Sequence, residues 1–460
     1  MQYYLISFVG ILFGTIVMLK ETRSVRKQSS LCLINIFGYM YGATYGLLPA
    51  CVMIAYTIGG IDLSHSYYKI DYSSGGIVKI ALWMLLGILG YIVVQISYKY
   101  RFLFRKSRRV LYVKKQQSSV DFSRIDMRRV WETLQVTMII CFIISVISLF
   151  LWTRAYGGLW GLIMIADKVR SGVANVQNSI AFFARPAKMI LISFYMALIL
   201  VKNRYNTSIN CIFLSISFVL SILMLLALDG RFGVAMHILS TVLLAQGHLK
   251  KGAFSWVKLR KILLVGIVAL IAILSMDSIT FYIRNGYWKN TTTTTPFFED
   301  LLKEFSYIFT SAQQSIGMLM NGNCPYLFGH DILAGAFAWW PSSLRPDGII
   351  NIWDYNTELC TIGNTLYGQL PCDFITTSVY SLGILGPLVY GVFWGWVIKR
   401  MEAWYQKSSD PASEIFYCTF VMRILKVPNY HLLYDFVLGL FSIALAAFIW
   451  WGCKHVKLRT

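Results

Sequence analysis

LALDGRFGVA, residues 226–235, decides how the chain is read. It interrupts an apolar run from Ile209 to Ala245 that otherwise contains almost nothing that ionises. As one helix these 37 residues would extend about 55 Å, nearly twice the roughly 30 Å of bilayer hydrocarbon. The run therefore reads as two spans, with Asp229-Gly230-Arg231-Phe232-Gly233 as the break between them. Glycine weakens a helix at that point. An unpaired charge in hydrocarbon costs several kcal/mol, so Asp229 and Arg231 belong at headgroup depth or in water.

The whole composition agrees with a membrane setting. The chain is 57% hydrophobic with a mean hydropathy of +0.59, and only 14% of its residues are charged. A soluble domain carries roughly 25%. Apolar stretches of spanning length recur, and eleven are expected: 3–19, 31–58, 77–97, 134–152, 180–201, 209–228, 232–247, 262–279, 377–398, 413–427 and 432–453. The first has no positive residue before it and no small-residue cleavage site after it, so it reads as a retained span and not as a signal peptide. The expected fold is an all-α polytopic membrane protein. Residues 1–279 hold the first eight helices and their basic loops, 280–376 form one large extracytoplasmic loop, and 377–460 hold the last three helices and a cytoplasmic C-terminus.

Charge orients these spans. With the first connecting loop, KETRSVRKQ (20–28), inside, the inner segments carry 28 of the 42 Lys and Arg residues. The outer loop 280–376 has only Arg284, Lys289, Lys303 and Arg345. That asymmetry follows the positive-inside rule, so the net charge of +21 is mostly a topology signal. Nucleic-acid binding is excluded because the basic residues are scattered over short inner loops. The densest basic patch, RKSRRVLYVKK (105–115), suits the anionic inner leaflet.

Positive residues on the outer face then require explanation. Arg154 and Arg170 fall in the loop after span four, Arg185 opens span five, Arg231 sits in the turn after span six, and Arg284 lies beyond span eight. A guanidinium is a planar, bidentate donor suited to phosphate oxygens. Arg170, Arg231, Arg284 and Arg345 are therefore candidate pyrophosphate ligands. Each has a plainer reading beside this one: Arg231 paired with Asp229 in a turn, Arg284 as a headgroup anchor, Arg170 as a solvated charge. Arg154 and Arg185 read as interfacial anchors.

The outer loop is too long for a connector. Residues 295–320 read as an amphipathic helix lying on the membrane, with Phe298, Leu301, Leu302, Phe305 and Ile308 at helical spacing. Beyond it lie Trp339 and Trp340, then DYNTELCTIGNTLYGQLPCDF (354–374), rich in amides, hydroxyls and carboxylates that suit a sugar-binding groove. His330 reads either as a proton acceptor or as a surface histidine. Of nine cysteines, Cys324, Cys360 and Cys372 fall in this loop, and one bond, Cys360 to Cys372, is expected among them. No Cys/His spacing suits a metal.

Three segments carry a resemblance. YLFGHDILAGAFAWWPSSLRPDG (326–348), GQLPCDFITTSVYSLGILGPLVYGVFWG (368–395, with its Leu382-Gly383-Ile384-Leu385-Gly386 step) and DGRFGVAMHIL (229–239) resemble elements of the bacterial oligosaccharide repeat-unit polymerases, the Wzy-type O-antigen polymerases. One departure is the absence of the Arg-x10-Gly repeats of some members: Ile165, Ala181, Thr295 and Asn356 stand eleven residues after Arg154, Arg170, Arg284 and Arg345. The resemblance implies a glycosyltransferase of the bacterial inner membrane needing no cofactor and no metal. It would move a growing glycan from undecaprenyl pyrophosphate to a second lipid-linked repeat unit on the outer face, in contact with membrane lipids, and it allows a chain-length regulator as partner. Arginines at headgroup depth would neutralise the leaving pyrophosphate. His330, with Asp354 and Glu358 as rivals, would activate the acceptor hydroxyl. An O-antigen ligase and a lipid-linked oligosaccharide flippase are the alternatives. The glycine-rich second span, FGYMYGATYGLLPA (37–50), favours the transporter.

Overall fold

The computed structural model describes residues 1–66, 68–100, 127–170, 182–228, 230–247, 297–340, 351–360, 370–408, 410–431 and 433–457, with isolated residues between 344 and 349. Among them every regular element is a helix. In chain order these are α1 (Gln2–Gln28), α2 (Leu33–Gly42), a π-helical turn (Ala43–Leu47), α3 (Leu48–Thr57), α4 (Ser74–Lys99) and α5 (Met127–Arg154). Next come α6 (Gly158–Met164), α7 (Ala166–Arg170), α8 (Ala184–Ala187), α9 (Met189–Lys202), α10 (Thr207–Leu228) and α11 (Gly230–Gln246). The rest are α12 (Phe297–Met320), α13 (His330–Ala336), α14 (Ile352–Cys360), α15 (Phe374–Leu382), α16 (Gly386–Lys407), α17 (Pro411–Ile424) and α18 (Leu433–Lys457).

Among the described residues, eight helical stretches are long and apolar enough to cross a membrane. They coincide with expected spans, whereas α11 and α17 at two further expected spans are shorter. The expected span 262–279 and the residues from Thr280 to Thr295 lie outside the described residues. The break read from the sequence is present: α10 stops at Leu228 and α11 starts at Gly230. The φ of +66° at Gly230 is a backbone geometry that glycine adopts at no steric cost.

The glycine-rich second span has a packing explanation. A Cβ on Gly46 would lie 2.7 Å from the Cα of Gly14, and one on Gly10 would lie 2.5 Å from the carbonyl of Gly46. The glycines of α1 and of the π-turn thus let two backbones touch, as small residues do between membrane helices. α4 and α16 approach in the same way. A Cβ on Gly395 would stand 2.5 Å from the carbonyl of Val94.

Two expectations need correction. The span expected at 377–398 is not one helix: α15 ends at Leu382, a 3-10 turn covers Gly383–Leu385, and α16 begins at Gly386. Gly383 has φ +58°, and Pro387 cannot donate to the carbonyl four residues back. Phe374 through Ser381 are all buried, so α15 is a half-helix enclosed by protein. The second correction concerns α12. Its apolar face is taken by protein: Leu302, Ile308, Phe309, Ala312 and Ile316 are buried, with Phe309 against Trp83 at 5.8 Å between ring centroids. Ser306, Ser311, Gln313 and Ser315 of the same helix are buried as well. Gln313 donates to the carbonyls of Asp71 (2.7 Å) and Gly76 (3.1 Å), and Ser311 to that of Pro371 (3.2 Å). Lipid tails supply no such partners, which is why this helix docks on the bundle. The side chains of Phe298 and Leu301 lie outside the described ones.

Candidate functional site

The site is built around the turn that joins α17 to α18. α17 is launched by Asp410, whose carboxylate accepts from the amide of Ala412 (3.0 Å), an N-cap followed by proline at the first helical position. It ends at Ile424, and the chain reverses through Val427-Pro428-Asn429-Tyr430-His431 into α18. This turn is stitched to the start of α15. Phe374 N–H donates to Pro428 O (3.3 Å), His431 N–H donates to Cys372 O (2.8 Å), and the Thr377 hydroxyl donates to His431 O (2.9 Å). Asp373 caps α15 from a fully buried position. Its Oδ2 accepts from Tyr45 Oη (2.6 Å), Trp83 Nε1 (3.0 Å) and the amides of Ile375 and Thr376. These bonds hold the turn and the half-helix as one piece.

A narrow cleft opens beside this turn. Arg423, Lys426 and Asp435 supply charge, Tyr430 and His431 supply polar rings, and Trp394 and Phe436 form the apolar wall. Its free space holds at most about one water molecule. The Arg423 guanidinium lies against α18, where Nη1 reaches the carbonyl of Asp435 at 3.5 Å, while its Nε is buried without a hydrogen-bond partner. His431 is 1% exposed. Its Nε2 accepts from Trp394 Nε1 at 2.8 Å, and its Nδ1 has no partner. Burial holds the imidazole down to about 3, far below its usual value, because a charged ring loses its hydration there.

The elements singled out from the sequence converge on this turn. Phe232, at the start of α11, meets Tyr430 with ring centroids 5.2 Å apart. Tyr307 of α12 meets the same ring at 5.3 Å. Trp353 of α14 donates to His431 O at 3.4 Å. Asp331 in the first turn of α13 accepts from the amide of Leu433 (3.1 Å) and from Tyr390 Oη (3.4 Å), and the Tyr390 ring faces His431 at 5.3 Å. Burial pushes the Asp331 carboxyl up to about 7.

Among the described residues, none of the expected site residues lines this cleft, and the structure describes only some of them. His330 opens α13 half-buried, next to the buried Asp331. Asp354 and Glu358 lie one turn apart on the exposed side of α14. Arg170 ends α7 and Arg231 lies in the first turn of α11, but their side chains are outside the described ones, as are Arg284 and Arg345 altogether. Arg185 donates to Trp339 O (3.1 Å) and lies over the Phe182 ring (5.4 Å). The expected bond between Cys360 and Cys372 is absent, since both are free thiols. Cys372 is sealed in the core, and the Cys360 thiol turns to Asn356 Oδ1 at 3.6 Å.

Arg423, Lys426, His431, Asp435 and Asp331 were missed from the sequence. One signal was available. MRILKVPNYHLLYD (422–435) holds four ionisable side chains besides its two tyrosines, at the end of a span where the charge topology leaves few positive residues.

Fold and cleft together define an all-helical, multi-pass membrane protein with a charged, aromatic-walled cleft at one end of its last two helices. No protein-family model matches the chain, and no curated protein or solved structure is significantly similar to it.

Proposed function

We propose that the chain is a polysaccharide polymerase, a glycosyltransferase joining undecaprenyl-pyrophosphate-linked repeat units on the outer face of a bacterial inner membrane. The observation that carries this reading is the cleft itself. Arg423 and Lys426 offer cationic donors beside a buried histidine and aromatic walls, a combination suited to a diphosphate head with sugar attached. With the basic segments 399–411 and 454–460 inside, α17 and α18 meet at the outer side. The large loop and the Gly230-Arg231-Phe232 turn, which the resemblance to repeat-unit polymerases rests on, adjoin the same end.

In this mechanism the diphosphate is the leaving group. Arg423 and Lys426 stabilise the charge that develops on it, and Arg231, Arg170, Arg284 and Arg345 are proposed as further donors. The acceptor hydroxyl is activated from the outer loop, with His330, Asp354 and Glu358 as the candidate bases. Trp353, the neighbour of Asp354, ties that helix to the cleft. The cleft must open for the head group to enter.

The test is a deletion strain complemented with variants and examined by gel for glycan chain length. Arg423→Gln and Arg231→Ala should both abolish long chains while leaving protein in the membrane and single repeat units on the surface. Arg231→Lys should rescue poorly because lysine lacks the bidentate fork. Loss of such a contact, at roughly 3 kcal/mol, slows transfer about a hundredfold. A surface with no glycan at all would favour a ligase or flippase instead. A normal ladder from both variants would overturn the polymerase site.

A further inference from the structure

We infer that His431 is a neutral hydrogen-bond donor to a phosphate oxygen in the cleft, with its single ring proton on Nδ1, and not the base of the reaction. The inference rests on the anion-site reading above and adds to it the role of the one histidine in the cleft wall.

The tautomer follows from Trp394. An indole N–H can only donate. Its Nε1 stands 2.8 Å from His431 Nε2, so Nε2 is an acceptor and carries no proton. The proton of the neutral ring is therefore on Nδ1, and Nδ1 is buried with nothing to bond to. Burial among the rings of Phe374, Tyr390 and Trp394, at 5.3–5.6 Å, disfavours an imidazolium, as do Arg423 and Lys426 in the same cleft. The Asp435 carboxylate in that cleft and the backbone beside the ring favour the charged form, but burial outweighs them. The ring cannot take a proton from a sugar hydroxyl, because its lone pair is already held by the indole. What remains is one unsatisfied N–H in the wall of a cationic cleft. An anionic oxygen would satisfy it and remove the cost of leaving a buried donor unpaired.

The test uses full-length protein in phosphatidylcholine nanodiscs, titrated with inorganic pyrophosphate. His431→Phe keeps a flat ring without the donor and should weaken binding roughly tenfold. His431→Asn keeps a side-chain N–H and should bind within about threefold of wild type. Arg423→Gln should weaken binding more than either. In ¹⁵N-histidine spectra, the signal lost in His431→Phe should be a neutral ring protonated on Nδ1, unchanged as pH falls from 7.5 to about 5.5. Unaltered affinity in His431→Phe alongside a loss in Arg423→Gln would sink the inference and leave the anion site standing. An Nε2-protonated or charged ring would also sink it. If wild type binds no pyrophosphate, both readings fall. If phosphatidylglycerol nanodiscs suppress binding in a His431-dependent way, the donor role is upheld, the phosphate belongs to a lipid headgroup, and the diphosphate-donor reading fails.

Discussion

Gly439→Ala is the most discriminating single change in the cleft. Gly439 lies on α18 with no side chain between its backbone and the Arg423 guanidinium. A Cβ built there would stand 1.6 Å from both Cζ and Nη1. Ordinary carbon contact lies near 3.6 Å, so the guanidinium would have to retreat by about 2 Å. That movement breaks its 3.5 Å contact with Asp435 O and takes it off the cleft wall. The obstacle is the far end of a flexible side chain, so the helix itself need not shift. Alanine also favours a helix over glycine by about 0.8–1 kcal/mol, and the variant should melt no lower than wild type. Loss of one charge-assisted hydrogen bond is about 1.5–3 kcal/mol, which corresponds to roughly a tenfold to hundredfold loss of pyrophosphate affinity. The complemented deletion strain should show shortened chains at normal protein abundance. A full-length ladder with wild-type pyrophosphate affinity would refute the placement of Arg423 at the anion. A fall in abundance would refute the claim that the change is local.

Other outcomes are equally checkable. Asp331 holds a proton up to about pH 7 in the fold and only to ~3.9 in an unfolded chain. Folded protein therefore loses stability as pH rises from about 4 to about 7 and is flat above that. Asp331→Asn mimics the protonated form and should remove the decline, by at most ~4 kcal/mol at high pH; parallel melting curves for the two proteins across this range would contradict it. Alkylation of denatured, unreduced protein should label Cys360 and Cys372 fully, since both are free, whereas a thiol blocked until reductant is added would show a bond. Reporter fusions at Gln116 and Gly322 should report opposite compartments, and agreement between them would overturn the topology and the outer placement of the cleft.

What the sequence revealed and what it hid follow a physical division. The break between α10 and α11 was legible because its cause is local: Gly230, with φ +66°, departs from helical geometry at the junction. The helix at 297–320 was legible from period, but its partner was not. Amphipathic spacing gives the direction of burial without saying whether lipid or protein covers the face. Only the buried Ser311 and Gln313 distinguish them, through bonds to chain segments more than fifty residues away. Asp331 went unread because burial is a property of its neighbours, Leu433 and Tyr390, and the adjacent His330 drew attention by its type alone. Arg423 and His431 were concealed in what looked like the end of one span and a short turn. Their meaning comes from Trp394 and Gly439, distant in sequence on one side and across a helix pair on the other.

The half-helix α15 carries a consequence for biogenesis. Its nine residues reach about 14 Å, so it cannot cross a bilayer alone, and two of its anchoring acceptors, Pro428 O and His431 O, belong to a segment synthesised some fifty residues later. During synthesis α16 must serve as the membrane stop while α15 waits at the interface, to be drawn inward only when the final two helices arrive. Chains released after Lys426 should therefore leave Cys372 open to a water-soluble maleimide, and full-length chains should shield it. Equal labelling of both would mean that the half-helix seats itself without the C-terminal pair.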